Sequence, residues 1–358
     1  MNYRTLTANE GRVSTLALGG NIFGYACDEA ETCALLHEAE SLGVNFVDTA
    51  DVYSDGRSEE MIGRALVGRR DRWVIATKVG VKSDATGHGI GAKKLIFERI
   101  EQSLRRLRTD YIDLYQLHHF DPITPPAETL DAFATLRAQG KVRHFGLSNC
   151  TAPQAHGYIA AADLTDCPPP ATNQIHYNLL KRRAEEEFLA APPAGQPRLL
   201  VYGALGRGVL SGKYRAGETP AAHSRAALSA RVQADLQPAV LAAVAGLETI
   251  ARAADLTMSQ LATAYVLRAP AVVAALVGLR TNAQLREIAA ACSREVSPET
   301  WAAIDAFVAR LAFDDQVSLG QPALNAIART ESSSHHEAST SIVFHPRSTR
   351  STHFSPLP

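Results

Sequence analysis

A single closed barrel of eight parallel strands, each followed by a helix, is the fold class this sequence predicts: a (β/α)8, or TIM, barrel with an N-terminal β-hairpin and extra C-terminal helices. Three observations predict it. Strand-then-helix units follow one another through residues 1–315 with no domain punctuation between them, and right-handed crossovers make closure of such a series natural. Three consecutive predicted strands end in Asp48, Lys78 and His118, and side chains at the C-terminal strand ends of a barrel meet at one mouth. An open doubly wound sheet would instead carry a G-x-G-x-x-G turn after its first strand; Gly19-Gly20 leads into no such turn.

The elements follow in order. Residues 3–6 and 13–18 alternate in polarity around the turn-forming Asn9-Glu10-Gly11 and read as a hairpin leading into the first core strand. A helix over 28–42 has apolar positions at Cys33, Leu35, Leu36 and Ala39 and ends at Gly43. Asn45 to Val47 form a short buried strand with Asp48 at its end and Tyr53 in the loop beyond, before a helix over 57–66. Strand 73–77 then ends in Lys78, and helix 92–107 is followed by strand 111–117 ending in His118. Helix 127–139, stopped by Gly140, strand 143–147, a helix near 153–162, strand 172–176, a helix near 182–190 and strand 199–202 continue the rhythm. The Ala-rich stretch 239–254 reads as an outer-ring helix, 272–277 as the eighth strand, and 283–291 and 298–311 as the last helices. Beyond residue 316 apolar periodicity fades into a Ser-, Thr-, His- and Pro-rich tail, 316–358, whose composition predicts disorder.

Composition excludes several function classes. The chain has 358 residues, 46% hydrophobic, ample for a large core, and a formal net charge of −1. Nucleic acid and anionic membrane surfaces favour strongly basic faces, so neither is an expected partner. The odd set of five cysteines, without a C-x-x-C pair, argues against a disulfide framework and for a cytoplasmic location. Met1 is followed by polar Asn2, Tyr3 and Arg4 without an apolar signal core, and no run of about 18 apolar residues occurs.

The mouth residues define a chemistry. An isolated Asp and Tyr five residues apart are most simply a turn residue and a loop aromatic; adjacent strand ends carrying Lys and His change that reading. A phenol with a pKa of about 10 transfers a proton at neutral pH only if its phenolate is stabilised. Lys78 near Tyr53 would lower its pKa, and Asp48 would hold the ammonium in place. A neutral His118 would orient and polarise a carbonyl oxygen. A reduction of this kind still lacks its hydride, which no side chain supplies, so a nicotinamide cofactor is needed.

These residues, in this order, resemble the aldo-keto reductase superfamily. Asp48-x4-Tyr53, Lys78 in Ala76-Thr77-Lys78-Val79-Gly80, and His118 closing Tyr111-Ile112-Asp113-Leu114-Tyr115-Gln116-Leu117-His118 look like that family's catalytic tetrad. The likeness runs to about residue 311 and is nearest to the branch of potassium-channel β subunits and bacterial relatives. It implies that Ser148, Asn149 and Gln174 grip the nicotinamide carboxamide and that Tyr202 stacks on the ring. It also implies that the loop with Gly203, Leu205, Arg207, Gly208 and Lys213 wraps the pyrophosphate, with Gly20, Asn21, Asp48, Arg225, Gly278, Gln284 and Glu287 contributing further contacts. Arg280, at the start of the helix after the eighth strand, would pair with a ribose 2′-phosphate and favour NADPH (NADP+) over NADH. Two departures stand out. Ile288 occupies a position where the family commonly carries an adenine-contacting Asn, and prolines interrupt Ala191-Pro192-Pro193-Ala194-Gly195-Gln196-Pro197, predicting a local loop there.

Other residues take plainer readings. His119 beside His118 is not a metal pair, since adjacent strand residues point to opposite faces and no carboxylate completes a ligand set. Arg105, Arg106 and Arg108 read as a solvated helix face, and Cys150 as a small apolar filler. Three function classes stay open: a carbonyl reductase with Tyr53 as general acid, an NADPH-binding redox sensor serving a protein partner, and a Schiff-base lyase with Lys78 as nucleophile. The expected partner of the first is a small carbonyl compound. Its outer pocket wall would draw on Phe23, Tyr25, His119, Phe120 and the tail.

Overall fold

The computed structural model describes residues 1–7, 9–80, 89–165, 167–190, 195–222 and 224–311. The predicted tail, 316–358, and residues 191–194 of the proline-rich interruption lie outside the described residues.

Ten strands are described: β1 (Tyr3–Thr5), β2 (Arg12–Ser14), β3 (Leu16–Gly19), β4 (Phe46–Asp48), β5 (Val74–Val79), β6 (Ile112–Leu117), β7 (Val142–Ser148), β8 (Thr172–His176), β9 (Arg198–Tyr202) and β10 (Val272–Val277). β3 to β10 close into a parallel barrel in sequence order, β10 pairing with β3. The predicted 13–18 strand is two elements. β2 pairs antiparallel with β1 through Tyr3↔Ser14, and the chain turns at Thr15 before β3 joins the barrel. The hairpin plugs the barrel floor, because its Leu6 and Val13 pack into the same buried cluster as Ala17, Phe46, Ala76, Leu114, Leu200 and Val273. Arg4 fixes it there by donating to the carbonyls of Leu267, Ala269 and Val272.

The helices are α1 (Glu29–Ser41), α2 (Arg57–Ala65), α3 (Lys93–Leu107), α4 (Pro126–Ala138), α5 (Ala152–Ala162), α6 (Arg225–Leu228), α7 (Ala230–Ala234), α8 (Pro238–Ala253), α9 (Met258–Leu267), α10 (Asn282–Ala291) and α11 (Pro298–Val308). Asp28 caps α1 in a reciprocal capping box with Glu31. Two expectations are corrected. The 182–190 helix is a single wide turn over Glu185–Leu189, where Ala190 N–H reaches back to Glu185 O. The helix leading directly into β10 is α9, which the sequence reading missed; the 239–254 helix, α8, packs against α9 and α11. The reason is physical: α9 is buried at Met258, Ser259, Leu261, Ala262, Thr263, Tyr265, Val266 and Leu267, so it lacks the polar stripe that makes an amphipathic period visible. No helix among the described residues is long and apolar enough to cross a membrane.

Candidate active site

The strand register sets the mouth. Asp48 ends β4 opposite Ala76 of β5, while Lys78 pairs with Gln116 of β6, so Asp48, Lys78 and Gln116 occupy neighbouring strand ends. Tyr53 is placed by its loop. Ser54, Asp55 and Gly56 all adopt positive φ (51°, 56° and 89°), and Ser54 Oγ donates to Phe23 O at 2.8 Å, pinning that turn to the loop after β3. A left-handed run costs energy at the non-glycine residues; the Phe23 bond is one compensation.

Lys78 is fully buried and joins the group. Its Nζ donates to Asp48 Oδ2 at 2.6 Å, to Thr49 O at 2.7 Å and to Tyr53 OH at 3.3 Å. Burial alone would push this ammonium down; Asp48 and then Tyr53 outweigh it and hold it above the ordinary lysine range. The expected lowering of the Tyr53 pKa is corrected. Burial pushes the phenol up, Lys78 pulls it down without cancelling that effect, and the net direction is upward. The phenol is therefore protonated at neutral pH, the form a proton donor needs.

His118 stands edge-on to Tyr53, ring centroids 5.8 Å apart. Burial, then Lys78, then His119, hold its imidazole well below the usual range, so it is neutral at physiological pH. Its Nδ1 is buried without a hydrogen-bond partner among the described residues. Nε2 is the ring nitrogen left to meet a ligand. His118 and His119 do not face opposite ways as expected. β6 ends at Leu117, strand alternation ends with it, and the two rings stack at 5.1 Å and 4°.

The residues expected around a nicotinamide gather on β7, β8 and β9. Asn149, at φ 57°, donates to His118 O at 3.0 Å and to Ser148 Oγ at 3.0 Å, and its Oδ1 accepts from Tyr202 OH at 2.7 Å. Gln174 Nε2 donates to Asp48 Oδ1 at 2.8 Å. Tyr202 is stacked on one face by His176, centroids 5.1 Å apart. Gly203 is required there, since its φ is +74° and a Cβ would lie 2.5 Å from the His176 ring. Arg207 bonds Asp235 at 3.4 Å, and Leu205 N-caps the turn that carries Arg207 and Gly208. Lys213 Nζ lies near Gly208, 3.3 Å from a Cβ built there. At the β3 end, Gly20 sits where a Cβ would lie 2.9 Å from Asp48 O, and Gly278 faces Asn21 Oδ1. Arg280 N–H donates to Gln284 Oε1 at 2.9 Å at the start of α10. Glu287 is tied instead to the N-terminus of α9, accepting from Thr257 Oγ1 at 2.6 Å, and Ile288 is buried.

The charge of this region fits a dinucleotide. Arg225 is half-buried with no carboxylate partner among the described residues, and burial lowers its pKa. An uncompensated guanidinium in that setting is suited to an anionic ligand.

A charged layer behind the mouth was not read from the sequence. Arg106, expected on a solvated face, donates to fully buried Glu59 at 2.6 Å, and Glu59 also accepts from Thr77 Oγ1 at 2.6 Å. Charged helix residues give no sequence sign of pointing inward when their partner is distant in the chain. Asp51 lies beside this pair, buried, with Oδ1 lacking a hydrogen-bond partner among the described residues and Arg99 3.9 Å from Oδ2. Burial and then Glu59 raise its carboxyl from 3.8 to about 6, against Arg99, Arg106 and Lys78. An acid raised by folding penalises the fold where it is ionised; the penalty is absent below about pH 4, grows as pH rises to 6 and is full above it. Asp51→Asn should therefore stabilise the protein by about 1–3 kcal/mol at pH 8 and by nearly nothing at pH 3.5. Urea unfolding at both pH values measures this, and a loss of stability at pH 8 would refute it.

A closed parallel barrel carries a phenol, an ammonium, a carboxylate and an imidazole together at its mouth. The chain belongs to the aldo/keto reductase family, whose sequence model matches residues 15–309. Protein tas of Escherichia coli (strain K12) is 34% identical over 337 residues, spanning 86% of this chain and 97% of that protein. The probable voltage-gated potassium channel subunit beta of Arabidopsis thaliana is 34% identical over 80% of this chain and 90% of its own length. The match to aldo-keto reductase YhdN of Bacillus subtilis (strain 168), 37% identical, spans 56% of this chain and 60% of that protein. Among solved structures, the glycerol dehydrogenase from Gluconobacter oxydans superposes with a TM-score of 0.73 at 29% identity, covering 87% of this chain and 97% of that one. The chain is thus an oxidoreductase of this family.

Proposed function

We propose that the chain reduces an aldehyde or ketone to an alcohol with NADPH. One observation carries the reading: Lys78 Nζ lies between Asp48 Oδ2 and Tyr53 OH, at 2.6 and 3.3 Å, beside a neutral His118. His118 Nε2–H holds the carbonyl oxygen of the substrate and draws electron density toward it. Nicotinamide, when bound, supplies the hydride that becomes the new C–H bond. Tyr53 gives its phenolic proton to the oxygen, which becomes the alcohol, and the phenolate left behind is stabilised by the Lys78 ammonium. Ser148, Asn149, Gln174 and Tyr202 would hold the nicotinamide; the β9 loop with Arg207, Arg225 and Arg280 would hold the phosphates. Screening aldehydes and ketones for NADPH consumption tests the reading, and a panel without turnover, in a protein that binds NADPH, would favour the sensor. That second reading draws on the channel-subunit relative. The lyase reading is opposed by the Asp48 contact, which keeps the Lys78 amine protonated and non-nucleophilic; borohydride should trap no substrate on Lys78.

NADPH should bind at least about tenfold tighter than NADH, because a charge-assisted pair between Arg280 and the 2′-phosphate is worth more than about 1.4 kcal/mol. Arg280→Ala should erase the difference in fluorescence titrations. Equal affinities in the parent protein would refute the assignment.

A further inference from the structure

Asp48 is held by two amides besides Lys78. Its Oδ1 accepts from Gln116 Nε2 at 3.1 Å and from Gln174 Nε2 at 2.8 Å, and Gln174 Nε2 also lies 3.3 Å from Gln116 Oε1. A carboxylate only accepts hydrogen bonds, so the NH2 end of each glutamine must face it. Gln174 is then committed: its NH2 is used by Asp48 and by the Gln116 carbonyl, and only its own carbonyl oxygen is left. Among the described residues that oxygen has no hydrogen-bond partner, yet it is not among the sealed polar atoms of a side chain that is otherwise 2% exposed. It is a single acceptor, rigidly presented at the opening. Gln116 is fully buried at the end of β6, where an apolar side chain would serve packing alone.

We propose that Gln116 is a positioning residue for the cofactor site: it locks the Gln174 amide so that the carbonyl oxygen faces out to accept from the carboxamide NH2 of a nicotinamide. Without Gln116, Gln174 keeps its bond to Asp48 but loses the second contact that fixes the plane of its amide, and its carbonyl can pivot about the remaining Nε2–Oδ1 bond. The effect is confined to ligands that carry the carboxamide. This inference rests on the cofactor reading above.

The test separates the nicotinamide end from the rest of the nucleotide. Gln116→Met, similar in length and without amide groups, should bind NADPH about tenfold more weakly than the parent while binding adenosine 2′,5′-bisphosphate unchanged. Gln174→Met should show the same split, and the double variant should be no worse than Gln174→Met alone, since Gln116 acts through Gln174. Unchanged NADPH affinity in Gln116→Met would overturn the proposal. Equal weakening of both ligands would overturn it too, by showing a general packing role. A parent protein that binds neither nucleotide would sink the cofactor reading itself, a result distinct from either.

Discussion

Tyr53→Phe should lower carbonyl reduction by about a hundredfold to ten-thousandfold, the range a positioned general acid supplies, while NADPH affinity stays within about twofold. The phenol acts on the substrate oxygen, and the carboxamide is bonded by other residues, so the loss belongs to turnover rather than to cofactor binding. The ring should keep its place, since the loop is pinned by Ser54 and its positive-φ turn rather than by the phenol. Lys78→Met should cost nearly as much for a different reason. In the structure the phenol is already raised by burial against the pull of Lys78; without that ammonium nothing offsets the burial, and the phenolate left after proton transfer has no counter-charge. The double variant should be hardly slower than either single one, because the two act as a unit. Should Tyr53→Phe keep more than a tenth of the parent turnover, on a substrate whose chemical step limits the rate, Tyr53 is not the acid and His118 becomes the donor to test.

The barrel was legible because three consecutive strand ends carry a local signature, short apolar runs closed by Asp48, Lys78 and His118, and because glycines such as Gly43 and Gly140 stop the helices. What escaped was fixed by distance along the chain. The α9 helix hid behind its own burial, since a segment apolar on nearly every side shows no period. Arg106 and Glu59 are 47 residues apart, and the Gln174 bond to Asp48 spans 126; neither spacing leaves a local pattern. The stacked His118 and His119 were misjudged because strand alternation was extended one residue past the end of β6. The direction of the Tyr53 shift was missed for a similar reason: the sequence names Lys78 as a neighbour but does not reveal how far the half-buried phenol is withdrawn from water, and that desolvation is the larger influence.

The Asp48–Lys78 pair should show a pronounced asymmetry in stability. Asp48→Asn leaves a fully buried ammonium with neutral acceptors alone, Thr49 O and Tyr53 OH among them, and breaking a buried pair in this way costs about 3–5 kcal/mol. Lys78→Met leaves the Asp48 carboxylate with the amides of Gln116 and Gln174 still donating to it, so its cost should be smaller, about 1–3 kcal/mol. The double variant Asp48→Asn/Lys78→Met removes both charges and should recover most of the loss, leaving a coupling of at least about 2 kcal/mol between the sites. The pH dependence gives the charge away. In Asp48→Asn the folded chain holds the Lys78 proton more weakly than the unfolded chain, so the unfolded state binds more protons and stability recovers toward the parent as pH rises to the ordinary lysine value of about 10.4. Urea unfolding of the four proteins at pH 7 and pH 9.5 measures both effects. Additive losses, or an Asp48→Asn deficit that does not shrink at the higher pH, would mean that Lys78 is not carried as a buried ammonium and that its role beside Tyr53 has to be rebuilt on a neutral amine.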